Sequence, residues 1–176
     1  MGTMNAPALP ASGGVLFLQS ATERFRQLKA LAEKAIAQAS DDDLFWMPGA
    51  ESNSIAVLIQ HLAGNMISRW TDFLTTDGEK PHRRRDAEFK HSPTTRAELI
   101  ERWEEGWRCL FDAIGALSEE DLLNTVTIRG EPLSAIDAIV RQLVHYGQHV
   151  GQIVYIAKAR RDAAWQTLSI PRKPQG

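Results

Sequence analysis

A single cysteine, Cys109, occurs among the 176 residues. No internal disulfide can form, so nothing points to a secreted scaffold held by disulfides. Long apolar runs are also missing, and none could span a bilayer as a helix. The opening MGTMNAPALPASGG lacks a basic segment followed by an apolar one, so it does not read as a signal peptide. Residues 1–14 read instead as a flexible leader, and residues 162–176 as a C-terminal tail. Charge of one sign is scarce too. Twenty basic and 22 acidic residues leave a net charge of -2, which gives no general reason to expect nucleic acid or an acidic membrane surface as partner. No internal repeat and no Rossmann-type or P-loop glycine pattern is present. The expectation is a cytoplasmic protein. At 43% hydrophobic and 24% charged residues the composition is ordinary for a soluble globular chain of one domain with a sizeable core.

Helical periodicity dominates what is there. From Val15 to about Ala39, Leu18, Ala21, Phe25, Leu28, Ala32 and Ile36 recur at steps of three and four, a single apolar stripe. Asp41, Asp42 and Asp43 interrupt it, and Pro48-Gly49 marks a loop. A second helix is predicted from near Ser54, capped by Asn53 or Ser52, to near Leu74, before the Asp77-Gly78 turn signal. A third follows Pro93, with Thr94 or Thr95 as cap and Glu98 placed to complete a capping box. It carries a wide apolar face that includes Trp103 and Trp107. The segment TVTIRGEPL alternates and turns at Arg129-Gly130, as a small hairpin does. Ser134 then caps a fourth helix, about Ala135 to Arg160, apolar on nearly every side and therefore expected to lie deepest. An all-α four-helix bundle over residues 15–161 is the simplest architecture. The connection DGEKPHRRRDAEFKHSP is long for a bundle. Such a crossover lets the second and third helices run parallel, and its length suggests either function or disorder.

The chemistry concentrates in histidines. His145 and His149 lie four residues apart on the fourth helix, one turn apart on one face, where both imidazoles can reach one metal ion. Gln142 and Gln152 lie near the same stripe and could orient the rings. His61 sits mid-way along the second helix on a polar face shared with Val57, Gly64, Asn65, Ser68 and Asp72. It reads either as a ligand, with Asn65 close behind, or as a hydrogen-bonded core residue. Gly64 would let another group approach the backbone closely. His82 and His91, in the crossover, read as solvated loop residues. Cys109, between apolar neighbours, reads as buried and inert.

The segment HYGQHVGQI, His145 to Ile153, resembles the fourth-helix motif of the DinB/YfiT-like superfamily: two histidines four apart, one variable residue, then Gly-Gln, here Gly151-Gln152. That superfamily places a third histidine ligand in the second helix, usually followed by Leu. His61-Leu62 in IQHLAGNMISRW matches it. The likeness runs from the first helix to about Arg161. It implies a three-histidine site, His61, His145 and His149, for one divalent ion. Three neutral imidazoles suit zinc or nickel best, and three protein ligands leave a position open. The resemblance also implies a metal-dependent enzyme in which a low-molecular-weight thiol, or water in a hydrolytic variant, is activated toward a small molecule. The competing reading is a metal-binding or stress-linked interaction protein without turnover. No strong general base stands out; Asp72 and Glu51 are the candidates, and both read more simply as surface carboxylates.

Arg83, Arg84 and Arg85 are either a solvated charge run or a lid that binds a carboxylate or phosphate of a substrate near the metal. Arg69 and Trp70 are candidates to line the same opening. Trp103 and Trp107 either face inward or supply surplus apolar surface for a symmetric homodimer, the state common among the superfamily.

Overall fold

A computed structural model describes residues 11–90 and 94–170 of the chain. His91 and residues 1–10 of the expected leader lie outside the described residues. Within them the chain is predominantly helical. Four long helices are α1 (Gly13–Ile36), α3 (Ile55–Trp70), α5 (Arg96–Gly115) and α6 (Ala135–Arg161). Two short ones are α2 (Asp41–Phe45) and α4 (Arg85–Glu88), and β1 (Thr125–Ile128) pairs antiparallel with β2 (Glu131–Ser134).

Each long helix begins at a hydroxyl that accepts a backbone N–H of the first turn: Ser12, Ser54, Thr95 and Ser134. These caps satisfy donors that have no partner inside the helix. Thr95 and Glu98 form the expected capping box. Some boundaries differ from the sequence reading. The aspartates taken as a plain interruption are the first turn of α2, where Ser40 and Asp43 form a second capping box and three carboxylates meet the positive end of the helix dipole. The second long helix stops at Trp70 rather than near Leu74, and Asp72 turns the chain with a φ of 49°. The tail is not wholly separate either, since Trp165 and Leu168 pack against the core.

Side-chain contacts give the directions. Ala63 meets Gly106 and Thr71 meets Cys109, so contacts advance together along α3 and α5, which run parallel. Trp103 reaches Glu33 while Arg96 reaches the carbonyl of Ile36, so α1 and α5 are antiparallel. His61 faces His145 and Trp70 faces Tyr146, and farther along Phe73 and Ala138 share a crevice, as antiparallel α3 and α6 require.

The core is aromatic at its centre. Phe25 packs edge-on against Trp70 at 5.7 Å and Trp107 at 6.4 Å. Trp103 and Trp107 are both fully buried, so they face inward and offer no surface for pairing two copies. The deepest helix is α3, not α6. Thirteen of the 16 residues of α3 are buried, against nine of the 27 of α6. The residues of α3 include one charge, Arg69, and the helix is flanked by α5, α6, α2 and α4, whereas α6 carries five charged residues and leaves Val144 and Tyr155 exposed.

The hairpin turns on Arg129 (φ 57°) and Gly130 (φ 76°), two successive left-handed residues that match the twist of the strands they join. Asp77 pins it. Its carboxylate accepts the backbone N–H of Arg129 at 2.9 Å, of Gly130 at 2.8 Å and of Glu79 at 2.6 Å. The crossover is thereby fastened at one end to the hairpin and folds back over α3 as α4. Among the described residues no helix is long and apolar enough to cross a membrane.

Candidate metal centre

His61, His145 and His149 meet where α3 and α6 face one another. One ring nitrogen from each lies within 4.8 Å of the other two. The Nε2 atoms of His61 and His145 are 3.2 Å apart, and those of His149 and His145 are 3.1 Å apart. Arms of about 2.0–2.1 Å place neighbouring ligand nitrogens about 3.3 Å apart in a tetrahedron and about 2.9 Å apart in an octahedron. The observed separations suit either.

Proton placement decides how well the group fits a cation. His61 directs Nδ1 at Glu88 Oε2, 3.0 Å away, and His149 directs Nδ1 at Gln152 Oε1, 2.7 Å away. A carboxylate and an amide oxygen can only accept, so both Nδ1 atoms carry a proton, and in the neutral rings both Nε2 atoms present bare lone pairs. These two lone pairs converge on His145 Nε2, which has at most one proton to share. A Lewis acid satisfies all three. Burial, together with the neighbouring His149 and His61 and the guanidinium groups of Arg69 and Arg83, pushes the His145 imidazole down to about 3. Burial also lowers His149. Both are neutral at physiological pH, the form that ligates.

Behind the ligands stands a network that the crossover supplies. Glu88 Oε2 accepts from His61 and also from Arg83 Nη2 at 2.8 Å, while Oε1 accepts from Arg83 Nε at 2.8 Å. The Glu88 carboxyl is half-buried, yet hydrogen bonds from His61 and Arg83 outweigh that desolvation and hold it below the usual range. The close approach depends on Gly64, because a Cβ there would lie 2.8 Å from Cδ of Glu88. The group expected to come near Gly64 is therefore this carboxylate. Glu88 itself was missed as a partner of His61. In the sequence it is one acid among many, 27 residues from the histidine, and only the fold of the crossover joins them.

The other sequence candidates separate. Gln152 holds His149. Asn65 Oδ1 accepts from the Tyr146 hydroxyl at 3.0 Å, and that hydroxyl in turn accepts from Trp70 Nε1 at 3.1 Å. Asn65 thus braces the core and keeps its amide nitrogen for the cavity beside the histidines. Gln142 is buried beside that cavity without touching a histidine, and its Oε1 has no hydrogen-bond partner. Arg83 is committed to Glu88 and, at 3.4 Å, to Glu79. Arg84 lines a different crevice, with His82 and Arg102. Arg85 reaches the mouth of the histidine cavity, where it lies over the Phe89 ring. Arg69 is buried and bonded to Glu79 and the Gly78 carbonyl, whereas Trp70 belongs to the core. Asp72 and Glu51 do not line the cavity. Cys109 is half-buried rather than fully enclosed and touches Thr71.

The fold is similar to the crystal structure of a conserved protein from Enterococcus faecalis. That likeness has a TM-score of 0.61 at 17% identity and covers 80% of this chain and 94% of the other. None of the curated proteins compared matches the chain. The sequence from residue 12 to residue 174 matches one family across nearly its whole length, and the chain belongs to that family, described as Protein of unknown function (DUF1572).

Proposed function

We propose that this protein is a four-helix bundle of the DinB/YfiT-like type that binds one divalent metal ion through His61, His145 and His149 and uses it to activate a small thiol. The observation that carries the reading is the convergence of the Nε2 atoms of His61 and His149 on His145 Nε2, beside an open cavity of about 410 Å³. Zinc and nickel are the preferred ions for three neutral imidazoles. When bound, such an ion leaves a coordination position open and makes a thiol or water beside it a stronger acid.

The residues of the chain hold and shield. Arg83 fixes Glu88, Glu88 fixes the His61 ring, and Gln152 fixes the His149 ring, so the nitrogens are oriented before anything binds. Among the described residues no carboxylate lines the cavity. Glu88 is unsuited to take up a proton, because both its oxygens are engaged and its acidity is increased. That favours a thiol over water as nucleophile. A thiol ionises near pH 8.5 and needs little further help, whereas water starts near 15.7 and gains from a base.

The absence of a lining base also fits a metal-binding protein without turnover. Stoichiometric metal uptake by the apo protein, followed by assay of the loaded protein with a panel of low-molecular-weight thiols and electrophiles, separates the two readings. Thiol-dependent turnover that disappears in the His145→Ala/His149→Ala double variant is the expected result. Turnover that survives in that variant would refute the enzymatic reading, and unchanged metal content there would refute the site.

A further inference from the structure

Among the described residues, the cavity beside the histidines is lined by five arginines, Arg69, Arg83, Arg85, Arg129 and Arg141, and by no acidic side chain. Two carboxylates behind the wall neutralise part of this charge. Glu79 takes Arg69, Arg83 and Arg129, and Glu88 takes Arg83. Even with the exposed Asp86 beside Arg85, the five guanidinium groups outnumber their carboxylate partners and leave surplus positive charge facing one small space. Three of the five forks have donors to spare. Arg141, one turn before His145 on the same face of α6, makes no ion pair or hydrogen bond among the described residues. Arg85 has only Asp86, at 3.4 Å and itself exposed to solvent. Arg129 gives Glu79 a single bond from Nε at 3.1 Å.

We infer that this cavity binds a small molecule bearing an oxyanion, a carboxylate or a phosphate, held by Arg141, Arg85 and Arg129. The inference rests on the proposed function only for where the anion lies, beside the histidines. The charge arrangement stands without any metal. Guanidinium forks match carboxylate and phosphate oxygens in pairs, and a wall without acids concentrates the field on them. A volume of about 410 Å³ falls in the small-molecule range and excludes a macromolecular chain as the occupant of the cavity itself.

The test is calorimetric titration of the full chain at low ionic strength, both metal-free and zinc-loaded. The probes are succinate, its uncharged analogue succinamide, and inorganic phosphate. The variants are Arg141→Gln and Arg85→Gln, with Arg24→Gln on the exposed face of α1 as control and unfolding temperature as the check on folding. Succinate or phosphate should bind the metal-free protein and succinamide should not. Each cavity variant should weaken the anion about tenfold, as loss of one charge-assisted contact does, and the control should change nothing. Whether succinate or phosphate binds more tightly identifies the oxyanion. Equal binding of succinate and succinamide, no binding of either anion, or anion binding that needs zinc and ignores both arginine variants overturns the inference. Anion binding that depends on Arg141 in a protein that takes up no zinc leaves the anion site standing and removes the metal centre. Zinc uptake without anion binding does the reverse.

Discussion

Replacing Gly64 by alanine adds one methyl group that touches no histidine, yet it should reach the metal centre. The new Cβ would lie 2.8 Å from Cδ of Glu88 and 3.4 Å from its Cγ. Carbon atoms rest comfortably at about 3.5–4.0 Å, so the carboxylate must recede by about 1 Å. Its freedom to do so is small, because two bonds from Arg83 and one from His61 hold it. A retreat of that size lengthens the 3.0 Å His61–Glu88 bond beyond hydrogen-bonding range. Losing a charge-assisted bond costs about 1.5–3 kcal/mol, and the better helix propensity of alanine returns about 1 kcal/mol. The expected net destabilisation of the apo protein is therefore about 0.5–2 kcal/mol. The effect on metal should be larger in proportion, a loss of about 10- to 100-fold in affinity, because the His61 ring loses the partner that sets its tautomer. Competition for zinc against a chromogenic chelator reads the affinity, and urea unfolding reads the stability. The decisive comparison is a double-variant cycle. In a Glu88→Ala background the same methyl enters vacated space, and Gly64→Ala should become neutral or stabilising. Wild-type zinc affinity in Gly64→Ala, or an equal loss in both backgrounds, would show that the Gly64–Glu88–His61 contact does not govern the site.

Three further outcomes follow from the same structure. Trp103→Ala removes a fully buried indole from the centre of the core and should cost about 3–5 kcal/mol in denaturant unfolding without changing the sedimenting mass, since that side chain faces inward. Asp77→Ala should loosen the hairpin and the start of the crossover together. The Asp77 carboxyl is held at about 2, below its ordinary 3.8, chiefly by the Gly130 N–H, so its contribution is complete above pH 3.8 and lost as pH falls through 2. Discounted for its exposure it amounts to about 1 kcal/mol, and the difference in stability between wild type and variant should shrink over that acid window. Glu88→Gln keeps the shape of the side chain but removes its charge and leaves one acceptor oxygen for Arg83 and His61 together, so zinc affinity should fall at least tenfold while the helix content measured by circular dichroism stays constant.

The elements that the sequence determined by itself are those governed by local chemistry. Thr95 and Ser134 start helices because a hydroxyl beside the first turn satisfies backbone donors wherever the helix later packs, while at α3 the cap is Ser54 and not the expected Asn53 or Ser52. Arg129-Gly130 turns the hairpin because two left-handed residues suit that loop. His145 and His149 face one direction because a helical turn brings residues four apart together, and their 3.1 Å separation needs no other element. Tertiary structure decided everything that depends on what lies opposite. It turned Trp103 and Trp107 inward. It also divided three adjacent arginines among three roles. Arg83 is locked to the carboxylate behind His61, Arg84 lines a separate crevice, and Arg85 stands at the mouth of the cavity. Nothing in the run Arg83-Arg84-Arg85 distinguishes its members, because a charge is assigned its work by the partner it meets. The partner of Arg83, Glu88 folded back against Gly64, is brought to His61 only when the crossover closes over α3.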